Sequence, residues 1–252
     1  MLFSGIALAL SILLSVFIGR TGGHWSPFIG WSYSSMFIPA LSLFLVIVFF
    51  KAPAPVLRWD VLPVKWLPVA LFLLPVALHA VLLPLYAHFN NNRLPLHAGP
   101  NIVLSLFTGL AVVSVLAFFE EIGWRVWLLT LLQQMMDRRR SLCLAAFLCA
   151  IWHVPYDLSG IHYMPGVNPA VQMGFNLFGE FGAALVFGWL WVRTRSIWIV
   201  CLSHGALNNW GQLAFKYLPD LPPGNANIFL LAGLNATLFA IGLVLIVFFT
   251  DK

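Results

Sequence analysis

Charge is what this chain has least of. Its 252 residues include 13 Lys or Arg and 8 Asp or Glu, 8% in all, where an ordinary soluble domain carries roughly 25%. So few charges cannot cover a water-facing surface, so the apolar faces must look at lipid. Cysteine is scarce as well. Cys143, Cys149 and Cys201 lie in apolar stretches with no CxxC pair, which argues against a disulfide framework and reads as small buried hydrophobes. No GxSxG elbow and no HExxH helix motif occur, so the two commonest signatures of serine and zinc hydrolases are missing. The net charge of +5 does not signal nucleic acid, because no basic stripe lies on a polar face.

What the chain does have is a series of long apolar runs. Met1–Ile18 lacks a basic leader and a cleavage site, and reads as a retained first helix. Further spans are expected over Ser35–Phe50, Trp66–Tyr86, Asn101 to about Phe119, Ser141–Val154, Val171–Val192, Ile197–Phe215 and Ile228–Phe249. The expectation is an all-α polytopic membrane protein with about eight transmembrane helices, forming one integral membrane domain over residues 1–252. The fourth run continues in helical pattern to Asp137. As one helix, Asn101–Asp137 would be ~55 Å long, well beyond a ~30 Å hydrocarbon slab. It must tilt, break or lie partly in the interface, and Gly123 is the candidate break. The fifth span is expected to stop near His153-Val154-Pro155.

The basic residues mark the topology. Lys51, Arg58, Lys65, Arg138, Arg139, Arg140, Arg193, Arg195 and Lys252 fall on one side, against Arg20, Arg93 and Lys216 on the other. By the positive-inside rule this multi-pass protein has both termini in the cytoplasm.

Ionisable residues at membrane depth are few, and such residues are usually functional. Glu120-Glu121-Ile122-Gly123-Trp124-Arg125 closes the fourth run. On a helix Glu121 and Arg125 share a face and suit an ion pair, which leaves Glu120 without a local partner. His153, Glu180 and His204 follow, with His79 in the third span. Asn208 is one turn beyond His204. His24, His88, His97 and His162 are read as loop residues, and His79 as a helix contact.

Counting from the turns near Arg139 and Arg195 places His153 and Asn208 nearly level. Glu120 is ~8 Å further out on a straight helix. Tilt or a break at Gly123 would close that gap and bring Glu120, His153, His204 and Asn208 into one buried pocket. A carboxylate beside an imidazole activates water, and a second imidazole with an amide can donate to an oxyanion. These are the parts needed to hydrolyse a peptide bond. Ser203 adjoins His204 in sequence but points about 100° away. A metal reading stays open, since Glu120, His153 and His204 form a ligand set suited to a catalytic zinc with an open position. Glu180 is a further candidate, because it follows Asn176 by one turn.

At these residues the chain resembles the CAAX-protease and bacteriocin-processing family of intramembrane proteases. Glu120-Glu121-Ile122-Gly123-Trp124-Arg125 is similar to its EExxxR motif, Ile151-Trp152-His153 to its His-bearing second motif, and His204 through Asn208 to its HxxxN motif. The run Phe187–Trp198 resembles the link into the third motif. The resemblance implies a family-like catalytic core over about 101–215 and an eight-helix membrane endopeptidase. It implies that Glu120 and His153 activate water, that His204 and Asn208 form the oxyanion hole, and that Glu121 and Arg125 support the site. One departure touches the pocket wall: Cys149 stands where the second motif often has Phe. The implied partners are the lipid bilayer and a membrane-associated peptide or lipidated protein, with no nucleic acid. Two other readings remain: a non-enzymatic bacteriocin-immunity or scaffold protein of the same fold, and a small proton-coupled transporter using the buried acids as a relay.

Overall fold

The computed structural model describes residues 2–21, 34–57, 62–91, 101–158, 166–211, 213 and 225–249. Arg58, Arg93, Lys216 and Lys252 of the charge count lie outside the described residues, as do His24, His97 and His162. Every regular element among the described residues is helical. In chain order these are α1 Leu2–Thr21, α2 Ile38–Phe50, α3 Leu67–Phe89 (entered by a 3-10 turn, Val64–Trp66), α4 Ile102–Glu121, a π-helical stretch Ile122–Leu129, α5 Thr130–Met135, α6 Arg138–Leu158, α7 Pro169–Thr194, α8 Ile197–Asn209 and α9 Asn225–Phe249.

Six helical rods are long and apolar enough to cross a membrane, and α2 is a shorter apolar helix. Of the eight expected spans, six are met among the described residues by such rods, and the other two by the short helices α2 and α8. At 13 residues each, α2 and α8 are ~20 Å long, less than the hydrocarbon slab. The seventh span was expected to reach Phe215. Instead α8 ends at Asn209, and Phe215 lies outside the described residues. Phe17, Phe44, Phe49, Phe72, Phe107 and Phe248 are all exposed, as a lipid-facing surface requires.

Three sequence expectations need correction. His88, expected in a loop, lies in the last turn of α3. The fourth rod runs unbroken from Ile102 to Met135, so Gly123 does not break it. A Cβ at Gly123 would stand 2.8 Å from the Pro39 Cβ and 3.0 Å from the Pro39 carbonyl oxygen. The glycine therefore serves the close approach of α2, as small residues do between membrane helices. The rod changes from α to π hydrogen bonding over Ile122–Leu129, the stretch that contains Gly123, a form found mostly at functional sites. The fifth span also runs on past its expected stop, through Pro155 to Leu158. Proline is tolerated there because membrane surroundings can re-satisfy the freed carbonyl.

Neighbour contacts link α1 to α2 and α6, α6 to α7, α7 to α9, α9 to α3, α3 to α8, and α8 to α4. The π stretch touches α2, α4, α6 and α7, so its side chains face the interior. Local signals set the α7–α8 corner that places His204. Arg195 ends α7 in the left-handed conformation at φ 51°. Ser196 then caps α8 by accepting from the Ile199 amide at 3.4 Å, a standard N-cap role. Trp191 Nε1 donates to Thr130 Oγ1 at 3.1 Å, and Arg195 donates to Gln133 Oε1 at 3.0 Å. These bonds hold the corner against the foot of the fourth rod.

The basic loops gather at one end. Arg139 donates to the Val247 carbonyl at 3.1 Å and Arg193 to the Phe249 carbonyl at 2.6 Å. Both carbonyls are in the last turn of α9, where a helix has no internal donors left. Trp127 Nε1 reaches the Pro53 carbonyl in the loop after α2 at 2.9 Å.

Candidate active site

Glu120, Glu121 and Arg125 are 3%, 0% and 3% exposed. Charge buried this deeply is tolerable only when paired, and Arg125 supplies the pairing. Its Nη1 donates to Glu121 Oε1 at 3.2 Å, and its Nε lies 3.1 Å from Oε2 as an ion contact without a hydrogen bond. Nη2 donates to the Ala184 carbonyl at 3.5 Å, and Nη1 also approaches Cys149 Sγ at 3.7 Å. Where the related motif has Phe, the small Cys149 lets the guanidinium lie against α6.

Helix α8 brings His204 to the same carboxylate. Its Nδ1 lies 2.7 Å from Glu121 Oε1. An ionised carboxylate only accepts, so Nδ1 carries the proton and Nε2 points elsewhere. That other nitrogen is 4.0 Å from Glu120 Oε2. The imidazole stacks on Phe187 at 4.9 Å and 12° between planes, and Arg125 sits 5.3 Å from the same ring. A short approach of α8 to α4 makes this possible: a Cβ at Gly205 would collide with the Ser114 side chain and come 3.0 Å from its backbone nitrogen. Glu120 itself has no hydrogen-bond partner among the described residues.

His153 is arranged differently. Its Nδ1 donates to the Cys149 carbonyl at 3.0 Å, and its Nε2 faces Glu180 Oε2 at 3.7 Å. Trp152 packs edge-on against the ring at 4.5 Å. Glu120 and His153 lie within each other's electrostatic reach. On the far side Asn176 donates to Asp157 Oδ1 at 3.1 Å, and Asp157 and Glu180 also feel each other. Asn208 is half-buried, one turn beyond His204, with no hydrogen-bond partner among the described residues.

The fold thus gathers Glu120, Glu121, Arg125 and His204 into one contact group and sets His153 with Glu180 beside it. Ser203 Oγ is buried without a partner, so it forms no Ser–His pair with His204. His79 Nδ1 bonds the Pro75 carbonyl at 2.7 Å, the helix contact expected of it. Sequence reading assigned no role to Phe187, because aromatic stacking on a distant imidazole has no local signal. Among the described residues, Glu120, Glu121 and His204 are the group whose donor atoms all lie within 4.8 Å of one another. His153 is not in that group.

Helical rods that expose phenylalanine outward and enclose carboxylates with imidazoles define a multi-pass membrane protein. Residues 101–210 match the family described as type II CAAX prenyl endopeptidase Rce1-like. This is the family the three motifs pointed to. No curated protein matches the chain.

Proposed function

We propose that the protein hydrolyses a peptide bond of a membrane-anchored, lipidated peptide or protein, with water activated by Glu120. The observation that carries this reading is Glu120 itself. A carboxylate 3% exposed, without a hydrogen bond and 4.0 Å from an imidazole nitrogen, is poised for a third group. A water molecule spans such a gap with two hydrogen bonds of about 2.8 Å. Glu120 takes the proton as the water oxygen attacks the scissile carbonyl carbon, and His153 shares the proton load from the opposite side. The oxyanion receives hydrogen bonds from Asn208 and from His204 once its Nε2 is protonated, an imidazolium that Glu121 stabilises. Collapse of the tetrahedral species breaks the C–N bond, and the proton passes to the leaving amine.

A zinc-assisted variant of this chemistry fits the residues less well. Both Glu121 oxygens are engaged by Arg125, and one also by His204, so binding an ion through Glu121 would strip a buried guanidinium of its partner. Activity is expected to survive exhaustive chelation.

An apolar groove of about 560 Å³ lies between α1 and α6, lined by Leu8, Ile12, Val16, Ile151, Val154 and Pro155. The last three flank His153, and the half-exposed Ile12 and Val16 face the lipid side. It would take the hydrocarbon chain of an anchored substrate. The bias of basic residues supports both termini in the cytoplasm, with Arg139 and Arg193 at the same end as the end of α9; labelling of single cysteines at each terminus tests this. The main test is cleavage of a lipidated reporter by the full-length protein in bilayer discs. Glu120→Gln and His153→Ala should each abolish turnover, and equal cleavage by all three proteins would remove the proposal.

A further inference from the structure

The turn of α6 that carries His153 is weakened from within. Pro155 stands inside α6. It has no amide hydrogen, so the Ile151 carbonyl loses its helical donor, and the proline ring presses on that same carbonyl. The Cys149 carbonyl is shared with the His153 ring, which donates from Nδ1 at 3.0 Å. Helices bend at such places, and neighbouring helices must supply what the ladder lacks. The imidazole finds little outside support of its own. Its Nδ1 bond goes to its own helix, and its Nε2 stands 3.7 Å from Glu180, whose side chain is 42% exposed. Where His153 points relative to Glu120 on α4 therefore depends on what holds this turn of α6 from outside.

Helix α1 supplies the hold. Ser11 is 2% exposed, and its Oγ donates to the Trp152 carbonyl at 3.1 Å. That carbonyl lies between Ile151 and His153, on the weakened turn. A carbonyl oxygen has two lone pairs, so it can take this bond beside a helical one. Hydroxyls in apolar helices ordinarily bond back to their own backbone. Ser42, Thr108, Thr194 and Thr237 do so, each reaching the carbonyl four residues earlier. Ser11 instead reaches across to another helix. A second contact runs from α1 to the same tryptophan. Phe3 meets the Trp124 ring edge-on at 5.2 Å, Trp124 lies 5.9 Å from Trp152, and Trp152 packs on His153 at 4.5 Å. The aromatic rings set the spacing of the helices. The hydrogen bond sets their register, because donor and acceptor must align. The family match begins at residue 101, so this bond ties the motif-bearing segment to a helix outside it.

We propose that Ser11 is a positioning residue: through the Trp152 carbonyl it sets the aim of His153 toward Glu120 and the substrate. Ser11 itself takes no part in the chemistry. The kinetic consequence rests on the endopeptidase reading above. The geometric claim, that Ser11 fixes His153, stands apart from that reading.

The test uses the full-length protein in bilayer discs and takes two readings on each variant. The first is kcat and KM on the lipidated reporter. The second is the rate at which diethylpyrocarbonate modifies His153 and His204, read by peptide mass mapping, which needs no turnover. Ser11→Ala should lower kcat about tenfold with KM unchanged, since a misplacement of ~1 Å can cost up to ~10². It should speed modification of His153 by at least about threefold, the factor a hydrogen bond between membrane helices is worth, and leave His204 as it was. Ser11→Thr, which keeps the hydroxyl, should restore both readings. Ser42→Ala removes a hydroxyl buried as deeply and should change neither. Should Ser11→Ala fail to fold, Ser11→Cys keeps the size with a feebler donor and takes the same readings. An unchanged His153 rate overturns the inference whatever happens to kcat, and so does a change that Ser42→Ala reproduces. If even the unaltered protein leaves the reporter intact, the endopeptidase reading falls, and the His153 rate alone decides for or against Ser11.

Discussion

The two histidines of the site occupy opposite surroundings. His204 is held on three sides: Glu121 bonds Nδ1 at 2.7 Å, Phe187 covers a face at 4.9 Å, and Glu120 lies beyond Nε2 at 4.0 Å. His153 has only a backbone carbonyl for Nδ1 and a carboxylate at 3.7 Å for Nε2. Its side chain is 22% exposed against 8% for His204. The inner imidazole sits in a fixed electrostatic frame, where preorganised donors are most effective. The outer one is the more reachable of the two. One site thus contains an enclosed half that sets charge and a reachable half, which in the proposed function meets the substrate.

That contrast can be broken in several ways. At the junction of the halves, Glu120→Gln should lower turnover by about 10²–10⁴, the usual worth of a general base, while the melting temperature in detergent barely moves. In the inner half, Arg125→Met leaves Glu121 buried and uncompensated. Such a loss costs about 3–5 kcal/mol, read from thermal unfolding, whereas Glu180→Gln in the outer half should stay within about 0.5 kcal/mol. Equal effects of these two changes would erase the distinction. Gly205→Ala pushes α8 off α4 at Ser114 and should destabilise by about 1–3 kcal/mol, as overpacking does. Phe187→Leu removes the ring against His204 and should lose about 0.5–1.5 kcal/mol, with turnover falling as the imidazole loosens. The finest test is chemical: diethylpyrocarbonate should modify His153 before His204, read by peptide mass mapping.

Much of this was legible in the chain because lipid makes hydropathy decisive. About eight spans were expected, and the described residues form six rods long and apolar enough to cross, with α2 and α8 shorter, since backbone groups in hydrocarbon must bond within a helix. The Glu121–Arg125 pair followed from one-turn spacing. What was not legible depends on contacts between rods. Gly123 reads as a break in isolation, and only the approach of Pro39 reveals it as a contact surface. The π turns leave no sequence mark, because they arise from packing against α2, α6 and α7. Counting residues from the turns placed Glu120 about 8 Å out of level, yet it meets His204. The separate pairing of His153 with Glu180 depends on how α6 and α7 rotate, which residue spacing does not report. Arginines read as topology signals also close the end of α9. The same residues serve both roles, and hydropathy sees one.

The π-helical stretch Ile122–Leu129 acts as a phase setter. Losing one residue there would let the rod relax into plain α-helix at little local expense. Everything upstream would then turn by about 100° against everything downstream, carrying both glutamates away from α8. The angular aim of the carboxylates is therefore written in the length of this segment, not in any one of its side chains.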